Sequence, residues 1–174
     1  MKYIRLVFIP IFALLIGISI SCERDDICPE STPTTSRLVI DLFDFNNQEN
    51  KKNAFNLIVA DLDNRVLNDY FLTTSNNLLL PLNTNENTTT FRLIKDAKVD
   101  DDGFITEGNE DILVINYTRK EVYVSRACGY KTIFENVGVV VQDDGDKWIL
   151  GNPINLTENE PIEDENEAHF NLFH

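Results

Sequence analysis

The sequence predicts an all-β domain, and three observations carry that expectation. Apolar runs of about five to nine residues, rich in Val, Ile, Phe and Tyr, recur after residue 36, separated by Asn, Asp and Gly clusters. Many of these runs alternate with period two. No stretch carries an i, i+3, i+4, i+7 apolar stripe long enough for a core helix. About eight or nine strands in a core of roughly 140 residues predict two packed antiparallel sheets, a β-sandwich, with a small β-barrel as the alternative.

Arg37 to Phe45 places Leu38, Ile40 and Leu42 on one face, with Val39, Asp41 and Phe43 on the other. Phe55 to Asp61 gives a second strand, Val66 to Leu72 a third, and Leu78-Leu79-Leu80 a fourth that stops at Pro81. Thr89, Phe91 and Leu93 alternate with Thr90, Arg92 and Ile94 in a fifth. Leu113, Ile115 and Tyr117 share a face in Asp111 to Thr118, and Glu121 to Cys128 alternates around Val122 and Val124. Tyr130 to Val141 ends with Val137, Val139 and Val141 in register. Trp148 to Leu150, Ile154 to Leu156 and Phe170 to Phe173 complete the set. Asp144-Gly145, between Val141 and Trp148, predicts a tight hairpin turn, because that dipeptide accepts positive φ. Asn76-Asn77, Asp63-Asn64 and Asp102-Gly103 predict further turns on the same grounds.

A chain of 174 residues suits one domain. With 43% hydrophobic and 10% aromatic residues it has the material for a core, which argues against disorder. Its 15 Lys and Arg face 29 Asp and Glu, a formal charge of −14 that argues against a nucleic-acid partner. Two His and three Cys leave little for a zinc or redox centre, and no cofactor is expected.

The first residues read as an address. Lys2 and Arg5 precede an apolar run from Leu6 to Ile20. At about 15 residues the run is shorter than the ~20 of a spanning helix and matches a secretory signal; an uncleaved anchor is the alternative. Ser19-Ile20-Ser21-Cys22 resembles a bacterial lipobox, with small Ser21 in place and Ser19 departing from the usual Leu. Cys22 is then the acylation site, and the thiol so used is lost to disulfide formation. Glu23, Arg24, Asp25 and Asp26 resemble the export signal that sends Bacteroidota lipoproteins to the cell surface; the periplasmic face of the outer membrane is the alternative. The expected organisation is a signal peptide over 1–21, a polar tether over 22–36 with Pro29 and Pro33, and a single domain over 37–174. Cleavage would remove Lys2 and Arg5 and no acid, leaving 13 basic residues against 29 acids, a formal charge of −16.

With Cys22 acylated, Cys28 and Cys128 remain. An even pair in an oxidising compartment reads as a disulfide. Two separate thiols and a nucleophilic Cys128 are the alternatives, the last lacking a base, since His169 and His174 stand in the final six positions.

Chemistry is sparse elsewhere. Aligning Gly103 with the glycine of an EF-hand loop puts Asp100 and Asp102 at calcium-ligand positions, with Glu107 and Glu110 nearby. Lys98 and Asn109 then fall where the first ligand and the bidentate acid belong, so an acidic hairpin loop is expected instead. Asp143, Asp144 and Asp146 read as turn residues, and Glu158 to Glu167 as a solvated loop. A hydrolase needs two facing carboxylates, and 29 scattered acids single out no pair. Tyr70, Tyr117, Tyr123, Tyr130 and Trp148 could stack on sugars, yet each sits in an apolar run where a core or half-buried role is the default.

Cys22-Glu23-Arg24-Asp25-Asp26-Ile27-Cys28-Pro29-Glu30, the strand Arg37-Leu38-Val39-Ile40 and the segment Ala127-Cys128-Gly129-Tyr130-Lys131-Thr132-Ile133-Phe134-Glu135-Asn136 resemble a family of uncharacterised Bacteroidota lipoproteins. The resemblance implies lipid attachment, export and pairing of Cys28 with Cys128. It implies no activity and no functional residue beyond Cys22. The expectation is a non-enzymatic outer-membrane lipoprotein that binds or supports, for instance as an accessory subunit on an outer-membrane barrel. A surface glycan-binding module is the alternative, and a carboxylate hydrolase stands behind both.

Overall fold

A computed structural model describes residues 27–157 and 160–174; the expected signal peptide and Cys22 to Asp26 lie outside them. Among the described residues all regular structure is strand: β1 Leu38–Phe43, β2 Ala54–Ala60, β3 Thr73–Ser75, β4 Asn77–Leu80, β5 Thr88–Val99, β6 Ile105–Ser125, β7 Gly129–Val141, β8 Leu150–Asn155 and β9 Phe170–Phe173. They form a four-stranded sheet in the order β4-β1-β9-β8 and a five-stranded sheet in the order β3-β2-β5-β6-β7. Neither closes into a barrel, so the expected sandwich is the observed architecture. The described residues fall into two compact units, one of 34–122 with 132–174, the other of 27–33 with 123–131.

The larger unit holds the core. Alternation does the sorting: Leu38, Ile40 and Leu42 of β1 pack in one cluster with Leu57 and Val59 of β2, Phe91 and Leu93 of β5 and Leu113, Ile115 and Tyr117 of β6. Val137 and Val139 of β7 and Phe170 and Leu172 of β9 join them. Burying a side chain of this size contributes roughly 1.5–3 kcal/mol. Tyr117 meets Phe134 edge-on at 4.9 Å, while its hydroxyl donates to the Asn83 carbonyl. A second, smaller cluster gathers Ile58, Ile94 and Ala97, with Val66, Leu72 and Val99 packed against it.

Several expected details differ. Among the described residues β1 pairs with β9 in parallel, with Ile40 opposite Phe170, whereas β1 with β4, β2 with β3 and β5, β5 with β6, and β8 with β9 are antiparallel. A parallel pair between distant segments leaves no local signature in the sequence. Asp111–Thr118 and Glu121–Cys128 are not two strands; β6 runs through the first and into the second as far as Ser125, where the turn begins. The polar Arg119-Lys120 between them is exposed strand, which periodicity alone reads as a break.

Val66 to Leu72 is not a strand. Asp61 Oδ1 accepts from the Asp63 and Arg65 amides, Asn64 turns at φ 64°, and Val66 makes a single bridge to Ala60. The Asp63-Asn64 turn signal is right, and it dominates the apolar run behind it. Asp144-Gly145 is a turn with Gly145 at φ 86°, but it joins β7 of one sheet to β8 of the other and closes no hairpin. Trp148 and Ile149 precede the last-but-one strand, their amides held by a side chain described below.

Candidate functional site

Within the smaller unit Cys28 and Cys128 are disulfide-bonded, with Cα atoms 4.9 Å apart and a sequence separation of 100. Of the readings open for this pair, the bridge is the observed one. Closing a loop of that length stabilises by about 4–5 kcal/mol in the chain-entropy account. The β6–β7 turn prepares Cys128: Arg126-Ala127-Cys128 is a three-residue turn, the Cys128 amide donates to Ser125 Oγ at 3.0 Å, and Gly129 follows at φ 71°. Positive φ after a short turn is the position where a glycine costs least. On the other side the Thr32 amide donates to the Pro29 carbonyl at 3.0 Å, and Thr32 Oγ1 stands 3.6 Å from Cys128 Sγ.

The same unit carries an exposed aromatic pair. Tyr123 and Tyr130 are 57% and 67% exposed, their ring centroids 5.4 Å apart and their planes at 68°. Ile27, beside Cys28, is 81% exposed. The core default therefore fails for these two tyrosines. It holds for Tyr70, Tyr117 and Trp148, which are buried with their polar atoms satisfied: Tyr70 accepts from the Leu79 amide, and Trp148 Nε1 donates to the Leu93 carbonyl.

Three of the calcium candidates, Asp100, Glu107 and Glu110, have local partners. Asp100 Oδ1 accepts from the Asp102 and Phe104 amides and shapes the β5–β6 turn, where Gly103 sits at φ 86°. Glu107 pairs with Lys98, and Glu110 with Arg92. Asp100 is thus the turn's cap, and the loop is the acidic hairpin loop that the spacing implied. Among the described residues no three His, Cys, Asp or Glu side chains are grouped to hold a metal ion.

Both histidines are structural. His169 Nδ1 accepts from the Val39 amide at 2.9 Å, and its own amide donates to the Val39 carbonyl at 2.8 Å, a two-sided clamp between β1 and the start of β9. Burial holds its imidazole below the usual histidine range, against the upward pull of Asp164 and Glu165. His174 is buried edge-on to Trp148 at 5.3 Å and also held low by burial. An open acidic groove of about 730 Å³ runs past His169, Glu160, Glu163, Asp164 and Glu167 in the larger unit.

Two acids carry roles that the sequence did not suggest. Asp111, fully buried in β6, accepts from the Ile149 amide at 2.6 Å and the Trp148 amide at 3.4 Å. It thereby links the five-stranded sheet to the segment entering β8. Burial pushes its carboxyl up, and the two amide donors only partly offset this. Glu165 grips Arg37 through the backbone amide at 2.9 Å and through the guanidinium at 2.7 Å, so this member of the expected solvated loop is an ion-pair partner. The Arg37 hydrogen bond holds its carboxyl below the usual range. Glu158 lies outside the described residues. In one dimension neither Asp111 nor Glu165 differs from the other acids, and only the alternation around Leu113 hinted that Asp111 faces inward.

The arrangement defines an all-β sandwich with a disulfide-closed hairpin end. The chain belongs to DUF6452, a family of unknown function, whose model matches residues 55–174. That span includes Cys128 and leaves out β1 and Cys28. No curated protein and no solved structure matches the chain.

Proposed function

We propose that the protein is an exported, lipid-anchored outer-membrane lipoprotein of the Bacteroidota type, displayed on the cell surface and acting by binding or support without catalysis. The observation that carries this reading is the division of the cysteines. Cys28 and Cys128 are joined, which calls for an oxidising compartment. The third cysteine, Cys22, stands directly after Ser19-Ile20-Ser21 and the apolar run. A non-enzymatic role is supported by the histidines, whose rings are buried against backbone groups, and by Asp100, which caps its own turn, with Glu107 and Glu110 paired to Lys98 and Arg92. One concrete form is an accessory subunit seated on an integral outer-membrane barrel, to be tested by crosslinking and affinity purification.

The deciding experiment is Cys22→Ser. The expected result is loss of acyl mass on the processed N-terminus and loss of membrane association. Unchanged processing and unchanged sedimentation with membranes would overturn the reading. A glycan-binding module draws support from the exposed Tyr123 and Tyr130 alone. Their planes, at 68° to one another, offer no common flat face to a sugar ring, which places this reading second.

A further inference from the structure

We propose that the surface formed by Ile27, Tyr123 and Tyr130 beside the Cys28–Cys128 disulfide faces the lipid bilayer, with the tyrosine rings at headgroup level. This deepens the lipid-anchored reading and rests on it.

The first support is the length of chain between the acylation site and the structure. Cys28 stands six positions after Cys22, a reach of at most about 20–22 Å for extended chain. The first strand begins at Leu38, sixteen residues from Cys22 and up to about 53–58 Å along an unbridged tether. The disulfide therefore shortens the leash. It ties the β6–β7 turn, through Cys128, to a point six residues from the lipid, so the tether cannot hold this end of the hairpin far from the membrane.

The second support is what that turn presents. Tyr123 and Tyr130 are among the most exposed large side chains of the molecule, and Ile27 is more exposed still. Tyrosine gathers at membrane interfaces because its ring is apolar and its hydroxyl can stay wet. Two such rings in mutual contact, in the same unit as an exposed Ile that adjoins the bridged Cys28, are poorly suited to water and well suited to that layer.

Charge is the third. The described residues of this unit carry Arg126 and Lys131 against Glu30 alone, in a protein with 29 acids and 15 bases. An anionic lipid surface would repel most of the chain and tolerate this end. The tether's Glu23, Asp25 and Asp26 outnumber Arg24, so the rings and Ile27, more than net charge, hold the contact.

The test uses the acylated full-length protein, purified from membranes and reconstituted into phosphatidylethanolamine–phosphatidylglycerol vesicles, part of whose acyl chains are brominated. The native protein has one tryptophan, Trp148, which is buried. Tyr130→Trp adds an indole at the proposed face, and Phe104→Trp adds one at the exposed β5–β6 turn. The expected result is loss of the added emission in Tyr130→Trp and its retention in Phe104→Trp. Should Tyr130→Trp fail to form the disulfide, as read by thiol alkylation, Tyr123→Trp replaces it with the same expectation. Mass spectrometry of the N-terminal peptide reports acylation separately. An acylated, vesicle-bound protein whose added indole at position 130 keeps its emission, or loses no more than the one at 104, overturns this inference alone. A protein that carries no acyl chain overturns the lipid-anchored reading, and this inference with it.

Discussion

Gly108→Ala should be among the most damaging single-methyl changes in the protein. Lys95 pairs with Asn109 and Lys98 with Glu107, so Asp96 and Ala97 of β5 stand opposite Gly108 alone. This is a β-bulge, with Asp96 at φ 53° and Gly108 at φ 140°. A Cβ at position 108 would lie 2.6 Å from Ile94 Cγ2, 3.1 Å from Ala97 Cα and 3.2 Å from the Lys95 carbonyl oxygen. The Ile94 methyl could rotate away, at the cost of its packing on Ile58 and Ala97. The other two atoms are backbone of the bulge and cannot move independently. Overpacking of this kind costs about 1–3 kcal/mol, and an L-residue held at such a φ costs of order 1–3 kcal/mol more. The expected loss is about 2–6 kcal/mol in a urea titration followed by circular dichroism, with an unchanged slope.

Two controls separate the contributions. Gly145 has φ 86° and no atom within 4 Å of the site of a Cβ, so Gly145→Ala should lose only the conformational part. Gly138 has neither an unusual φ nor a close neighbour, and Gly138→Ala should be close to neutral. If Gly108→Ala and Gly145→Ala lose the same amount, the steric account of the bulge is wrong.

Asp111→Ala leaves the buried Ile149 amide, and the more weakly held Trp148 amide, without an acceptor; at about 1–3 kcal/mol for each unsatisfied group the expected loss is about 2–4 kcal/mol by urea titration. Asp111→Asn keeps an acceptor oxygen and should lose clearly less, and equal losses would refute the role assigned to the Ile149 bond. The histidines set an acid limit. Both folded-state values lie below the ordinary 6.5, so their stabilising contribution is complete above 6.5 and is lost as pH falls through the folded values. Asp111, pushed up by burial, works in the opposite sense, its protonation favouring the folded state as pH falls. NMR titration of the imidazole protons separates the two effects: both rings should titrate below 6.5, and titration of either at or above that value would contradict its burial as the dominant influence.

Much of the fold was legible because a half-buried strand imposes period two on its own residues. Leu113, Ile115 and Tyr117 needed no partner to show which side faces inward, whereas β1 is buried on both faces, Val39 and Asp41 included. Position 123 shows the limit of that signal. Glu121-Val122-Tyr123-Val124 alternates among residues that are all apolar after the first, and burial of Tyr123 could not be distinguished from exposure. The turn signals succeeded where a side chain caps its own backbone, as at Asp61 and Asp100, since that interaction is local. They failed to say which strands a turn connects, and Asp144-Gly145 crosses between sheets for that reason.

By itself the sequence determined what depends on neighbours along the chain: an all-β sandwich, its principal strands, its turns, and an apolar run that stops just before Cys22, with a second cysteine six positions on. The tertiary structure decided whatever depends on residues meeting across space. It paired β1 with β9 in parallel, brought Cys128 to Cys28 across 100 residues, buried Asp111 under the amides of Trp148 and Ile149, and left Tyr123 and Tyr130 outside. Such meetings are set by how two sheets pack and where a hairpin ends, and neither has a period that a single strand can record.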